Sequence, residues 1–291
     1  MVNFKIALAS YSFHGLIGSG RLNLLGYLEL LASRYGVRQA DIWTGLLPVE
    51  ALETDNLKQI RRFMDDRDLE LSNLCVDGPY LWHDDPAVRE EHRKVMLRYL
   101  DAAEILGART VRIDFGGSDQ PMPDEAFEGI VRLYKEYCRI CFDRGMRIGP
   151  ENHWGWDRNP VYLRQVRDAV DHPAYGHLLH IRNWPDGEAD ALLDTCLPIL
   201  MHTHFAADAI GWTKPLIRRI AETGYQGAYS VEHHSGCHEL ERTEWQLGVL
   251  RSIMAELKDE GIEKPSSQSY IAEIMRVGPP PDLEVVAMGE E

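Results

Sequence analysis

An α/β fold, a single (β/α)8 TIM barrel followed by a C-terminal tail, is the architecture this sequence predicts. Three observations carry the prediction. Eight short β-prone segments alternate with eight longer amphipathic ones across the 291 residues. That many crossovers in one sense suit a closed ring of parallel strands, because closure leaves no unpaired edge. Four of the later β segments also end in pairs of ionisable residues two apart, where barrels of this kind keep their chemistry.

The predicted strands are Lys5 to Ser12, Val37 to Trp43, Leu69 to Asp77, Thr110 to Phe115, Met146 to His153, Leu178 to Arg182, Ile199 to Phe205 and Ala228 to His233. The predicted helices are Leu24 to Tyr35, Asp55 to Asp66, Pro86 to Leu106, Asp124 to Arg144, Pro160 to Val170, Gly187 to Cys196, Lys214 to Thr223 and Leu240 to Asp259. Pro86 and Pro160 suit a first turn, where proline loses no helical hydrogen bond, and Gly107, Gly145 and Gly224 sit where left-handed C-caps are needed. In the helix that starts at Pro86, Val95, Leu97, Leu100, Ala103 and Leu106 recur at helical spacing, with Arg89, Glu91, Arg93 and Lys94 on other faces. The barrel is expected over residues 1–262 and an extension over 263–291. Beyond Glu260 come Lys264-Pro265-Ser266-Ser267, an apolar run at Tyr270 to Met275 and Gly278-Pro279-Pro280-Pro281; Pro279 to Glu291 is expected to order only on a partner.

Composition excludes several classes. Acidic residues outnumber basic ones 46 to 31, a formal charge of −15, which repels nucleic-acid backbones and anionic membranes. The basic runs are short, as at Arg218-Arg219. No apolar stretch approaches the roughly 20 residues of a bilayer span, and the first residues lack a signal-peptide pattern. Neither nucleic acid nor membrane is therefore an expected partner, and a cytoplasmic location is. Five cysteines form no even framework; Cys138-x-x-Cys141 falls within a predicted helix and reads as two thiols on or under it.

The pairs are Glu151-x-His153, His180-x-Arg182, His202-x-His204 and Glu232-x-His234. Residues two apart on a strand share a face, so four such pairs on successive strands converge on one space. Unpaired imidazoles and carboxylates are costly core material but suit a divalent metal beside acid and base groups. Trp154 and Trp156 beside Glu151 favour a ligand-lined pocket there. His204, nearer the strand end, is the better placed of its pair, and His202 is the candidate for a supporting role. At His180 a metal ligand and a rim residue are both open readings.

Further motifs carry a resemblance. Ser72-Asn73-Leu74-Cys75-Val76-Asp77-Gly78, Ala102 to Gly107 followed by Thr110-Val111-Arg112, Pro150-Glu151-Asn152-His153, Asn183-Trp184-Pro185-Asp186-Gly187, His202-x-His204, and Gly224-Tyr225-Gln226-Gly227 with Glu232 resemble the sugar isomerase/epimerase superfamily of xylose-isomerase-like barrels, over about Lys5 to Leu257. The resemblance implies a divalent ion, often manganese, held by Glu, Asp, His and Glu. Glu151, His204 and Glu232 match the first, third and fourth ligands. The second departs from the pattern, since His180-Ile181-Arg182-Asn183 stands where the family has Asp, two residues and Asn. An imidazole replaces a carboxylate readily on manganese, iron, cobalt or zinc, so a retained site of two Glu and two His is the first expectation; water in place of His180, or loss of metal binding, are the alternatives.

By the same resemblance Glu151 and Glu232 act on the proton next to a carbonyl, through an enediolate. His153, His234 and Arg112 orient hydroxyls or complete a proton relay. His83, Trp154, Trp156 and Arg182 are further candidate substrate contacts, although each tryptophan reads equally as core. The expected activity is a metal-dependent sugar isomerase or epimerase. The alternative is a lyase that expels a β-leaving group from a keto-sugar or keto-glycoside, for which the extra imidazoles would be useful. An endonuclease-like branch and a non-catalytic partner subunit are weaker readings, the first opposed by the acidic charge. A homo-oligomer is the expected assembly and a hetero-oligomer the alternative.

Overall fold

A computed structural model describes residues 4–181, 183–184, 187–207 and 210–261. Arg182 and the extension 263–291, with Pro279 to Glu291, lie outside the described residues.

Eight parallel strands, β1 (Lys5–Ala9), β2 (Gln39–Trp43), β3 (Glu70–Val76), β4 (Thr110–Ile113), β5 (Arg147–Gly149), β6 (His177–His180), β7 (Leu200–Ala206) and β8 (Ala228–Glu232), pair in the order β5-β4-β3-β2-β1-β8-β7-β6. The ring closes between β5 and β6 through backbone hydrogen bonds from Ile148 N to the Ala174 carbonyl, Gly176 N to the Ile148 carbonyl and Leu178 N to the Pro150 carbonyl. The (β/α)8 barrel read from the alternation is thus the fold. Outside it lie α1 (His14–Gly18), α2 (Leu24–Glu29), α3 (Thr54–Asp65), α4 (Pro86–Leu106), α5 (Asp124–Asp143), α6 (Pro160–Val170), α7 (Ala189–Cys196), α8 (Lys214–Glu222) and α9 (Glu239–Glu260). None of the described helices is long and apolar enough to cross a membrane.

The helices pack on the sheet through their apolar stripes. Met96, Leu100, Ala103 and Leu106 of α4 are fully buried, and so are Cys138 and Cys141 of α5, which makes these two thiols core residues. The Asp85 side chain accepts from Ala87 N to cap α4, Pro86 occupies the first turn, and Gly107 ends the helix at φ 74°.

Six strands end earlier than the sequence predicts, four of them by one or two residues and two, the first and the fifth, by three or four. The first stops at Ala9, not Ser12, because serine hydroxyls replace the ladder: Trp43 N donates to Ser10 Oγ at 2.8 Å and His233 N to Ser12 Oγ at 3.0 Å. The fifth pairs only over Arg147–Gly149, since Pro150 offers no N–H, and Glu151 then makes a single bridge to Leu178. Gly149 is required at this seam: a Cβ there would lie 1.8 Å from the Gly176 carbonyl oxygen.

Asn152 stitches the seam beyond the glycine. Its Nδ2 donates to the carbonyls of His180 (2.9 Å) and Asn183 (2.6 Å), while its Oδ1 accepts from His180 N at 2.8 Å and faces His177 Nε2 at 3.3 Å. Burial lowers the pKa of His177 to about 3, against the pull of Glu151 in the other direction. The unfolded chain takes up this proton near pH 6.5 and the folded chain does not, so stability is expected to fall as pH drops from about 6.5 towards 3, by roughly 1.4 kcal/mol per pH unit. Urea unfolding of His177→Gln at about pH 6 and about pH 4 checks this. The variant should lose less stability between the two than the parent; equal losses would clear His177 of the effect.

Candidate metal centre and active site

Strand order and register bring the two-apart pairs together. In the ladder His180 pairs with His204 and His204 with Ser230, so residues far apart in sequence lie at one level of the barrel. Above them, at the C-terminal mouth, a cavity of about 310 Å³ is lined by Tyr11, Asp41, Trp43, Cys75, Asp77, Arg112, His153, His204, Glu232 and His234, with Ala9 at its edge. A larger hollow of about 430 Å³, walled by residues such as Leu25, Leu46 and Phe63, shows no titratable side chain in its described lining. The mouth, by contrast, is lined by histidines, carboxylates and an arginine.

His204 is the centre of the floor. It is 1 % exposed, with Nδ1 at 2.8 Å from Glu151 Oε1 and 3.3 Å from Glu232 Oε2, and Nε2 at 2.9 Å from Asp41 Oδ2. Burial favours the neutral ring, but Glu232, Glu151 and Asp41 outweigh it and raise its pKa well above the ordinary histidine value. The same pairing works in reverse on the acids. Burial would raise the pKa of Glu151 and Glu232, yet His204 holds both well below the usual carboxylate range, aided by Arg112 at Glu151 and by His180 and His234 at Glu232.

Glu232 ends β8, and its Oε2 also lies 3.2 Å from His180 Nε2 and 3.3 Å from His234 Nε2. His180 ends β6 and is nearly buried; its Nδ1 has no hydrogen-bond partner among the described residues. On the other side Arg112, 3 % exposed, joins three carboxylates: its Nε is 3.1 Å from Glu151 Oε2, and its Nη1 is 3.1 Å from Asp114 Oδ2 and contacts Asp77 Oδ1. The Nε contact is an ion pair, not an aligned hydrogen bond. His153 Nδ1 faces Asp114 Oδ2 at 3.0 Å; burial lowers its pKa, but Asp114 and Glu151 prevail and raise it to about 9.

Four groups of side chains offer ligand atoms within 4.8 Å of one another: Glu151/His204/Glu232, His180/Glu232/His234, Asp41/His202/His204 and Asp77/Asp114/His153. The last already holds a cation, the Arg112 guanidinium, between its two aspartates. The Asp41 group is saturated. Its Oδ2 faces His202 Nε2 (2.8 Å) and His204 Nε2 and accepts from Ser230 Oγ (2.8 Å), and its Oδ1 accepts from Asn73 Nδ2 (2.9 Å). Two groups remain, Glu151/His204/Glu232 and His180/Glu232/His234, which share Glu232; of their side chains only His234 is exposed. Two buried carboxylates and two imidazoles are a donor set that fits a first-row divalent ion.

The other candidates are distributed unevenly. Arg112, His153 and His234 line the cavity with His204 and Glu232, two of the expected ligands, whereas Glu151 and His180 lie off its wall. His83 is exposed and accepts from Asp85 N at 3.0 Å, off the cavity wall. Trp154 packs edge-on against Tyr80 at 5.1 Å, also off the wall. Trp156 is 5 % exposed, with its indole N–H on the Gln120 carbonyl at 2.6 Å. The aromatic wall is instead Tyr11 and Trp43, in edge contact at 5.1 Å, with Trp43 Nε1 donating to Asp77 Oδ2 at 2.5 Å. Asp41, Asp77 and Asp114 were not singled out by sequence, although Cys75-x-Asp77 and Arg112-x-Asp114 repeat the two-apart pattern on β3 and β4.

The family model for the xylose isomerase-like TIM barrel matches residues 30–253. The chain belongs to this family. Solved structures of the same fold include a D-allulose 3-epimerase from Methylomonas sp. (14 % identity, 87 % of this chain and 97 % of that one, TM-score 0.67). A 3-keto-D-glucoside 4-epimerase from E. coli is similar at 14 % identity, covering 86 % and 100 % with a TM-score of 0.68. A probable 3-DHS dehydratase involved in petrobactin synthesis from Bacillus anthracis is similar at 15 % identity, covering 85 % and 99 % with a TM-score of 0.65. No curated protein sequence matches the chain. In this xylose isomerase-like barrel the buried acid and histidine groups are able to bind a metal.

Proposed function

We propose that the chain is a divalent-metal-dependent enzyme that removes a proton beside the carbonyl of a sugar or keto-sugar and returns it, acting as an isomerase or epimerase through an enediolate. The observation that carries the reading is the convergence of buried Glu151, His204 and Glu232 on one point, with His204 and Glu232 lining a sugar-sized cavity. Family membership and the sugar epimerases among the similar structures support it. A divalent ion held by Glu151, His204 and Glu232, with His180 beside them, would supply positive charge for the oxygen on which the carbonyl's electrons collect, worth several kcal/mol. Manganese is the proposed ion, with zinc, cobalt or iron as substitutes; a second imidazole disfavours magnesium.

In this reading Glu232 and Glu151 are the proton-handling pair. Arg112, shared among three carboxylates, orients Glu151 beneath the substrate. His234 and His153, at the cavity wall, exchange protons with substrate oxygens, and Trp43 and Tyr11 present faces for the sugar ring. The acidic charge and the five free cysteines support a cytoplasmic enzyme acting on small molecules.

A second reading, β-elimination from a keto-sugar or keto-glycoside, is favoured by one observation. His153 is backed by the buried carboxylate of Asp114 and holds its proton to about pH 9, which suits a general acid for a leaving group. Elemental analysis of the purified protein, then incubation of the loaded enzyme with free ketohexoses and with 3-keto-glycosides, separates the two. Interconversion without elimination products supports the first, elimination the second, and no turnover of either at full metal occupancy refutes both. His180→Asp should retain the ion and shift preference towards magnesium; unaltered content and preference would place His180 outside the ligand set.

A further inference from the structure

We propose that Asp41, on β2, is a positioning residue of this centre: by holding His204 Nε2 it keeps Nδ1, and not the ring carbon Cδ2, turned towards Glu151 and Glu232, and keeps the ring proton on Nε2 when Nδ1 binds an ion. The inference rests on the metal-dependent reading above. An imidazole turned over by half a rotation about its Cβ–Cγ bond exchanges Nδ1 with Cδ2 and Nε2 with Cε1 at little cost in volume, so packing alone does not choose between the two orientations. A hydrogen-bond partner on one nitrogen does.

Asp41 is well suited to that role. It is 1 % exposed, and a carboxylate only accepts, so the ring nitrogen at 2.9 Å from its Oδ2 carries a proton; Nδ1, which faces the carboxylates of Glu151 and Glu232, is then the nitrogen whose proton an ion would displace. The carboxylate itself is held from three other strands. Asn73 of β3 donates to Oδ1, while His202 of β7 and Ser230 of β8 share Oδ2 with His204. His202 thus acts on the centre through Asp41, its ring 5.6 Å from that of His204 and nearly perpendicular to it.

Asparagine is the informative replacement because it keeps the shape and loses an acceptor. Whichever way its amide is turned, the NH2 meets a donor: Asn73 Nδ2 on one side, or the two imidazoles and the serine on the other. The Nε2 proton of His204 then loses its defined partner.

The test uses Zn2+ alone with the full chain labelled with 15N at histidine. Long-range 15N–1H spectra identify which His204 nitrogen carries the ion and which the proton, a readout that a purely structural role would not move. In the parent the ion is expected on Nδ1 and the proton on Nε2. In Asp41→Asn the His204 signals are expected to divide between two ring states, and the Zn2+ affinity to fall about 10- to 100-fold. Thermal unfolding shows whether the variant remains folded. An ion on Nε2 in the parent overturns the proposal whether or not the variant folds. So does a folded Asp41→Asn with the parent's single ring state and an affinity within about twofold. Absence of Zn2+ binding in the parent removes the metal reading and this proposal together, whereas a binding parent with an unaltered variant removes only the proposal.

Discussion

Glu232→Gln is expected to lower turnover by about 10³-fold or more and to reduce bound metal. The carboxylate has two tasks in the proposed chemistry, ligand and base, and an amide performs neither well. Its Oε2 is the meeting point of His180, His204 and His234, all within 3.3 Å. An amide nitrogen turned towards them would set donor against donor, and an amide oxygen would bring no charge to balance the rings. Steady-state turnover of the metal-loaded variant, with metal content measured on the same sample, checks both parts. Normal turnover would remove Glu232 from the proton-handling pair; lost turnover with full metal content would leave it as base but not as ligand.

Arg112→Met should have the largest effect on stability. The guanidinium is the shared cation of Asp77, Asp114 and Glu151, and two of these carboxylates are almost fully buried. Removing one member of a buried ion cluster leaves its partners uncompensated, which costs about 3 to 5 kcal/mol. A denaturant midpoint shifted down by that amount is the expected result, and recovery is expected on lowering the pH, since protonated carboxyls no longer repel. The sign follows from Glu151: Arg112 is one of the charges that hold its carboxyl low, so without it the penalty is largest at neutral pH and shrinks as that carboxyl takes up a proton. An unchanged midpoint would mean that the guanidinium does not hold this cluster together.

Sequence periodicity located much of the site, and its limits are physical. Spacing of two marked Glu151, His204, Glu232 and His234 because these side chains sit at or just beyond strand ends, where the pleat still dictates direction. The same rule applied to Cys75-x-Asp77 and Arg112-x-Asp114 would have completed the ring, but Arg112 was read toward substrate and not toward carboxylates. Asp41 was harder to see. It sits within β2, and its meaning depends on donors from β3, β7 and β8 that only barrel closure brings to one level. The tryptophans show the opposite limit. Trp156 follows the β5 motif by a few residues, but by then the chain has left the strand and entered a 3-10 turn, so its ring packs into the core. The cavity wall uses Trp43, at the end of β2, where the strand still sets the direction.

The β5–β6 seam has a consequence for the width of the centre. Glu151 and His180 come from the two strands that meet there, and their separation is set by what the neighbouring glycines lack. A methyl group on Gly149 would strike the Gly176 carbonyl, and one on Gly176 would strike the Met201 side chain. The bore of the barrel at this seam is therefore gauged by a hydrogen atom of Gly149, so a single added carbon there, remote from the chemistry, would have to displace the backbone that leads into Glu151.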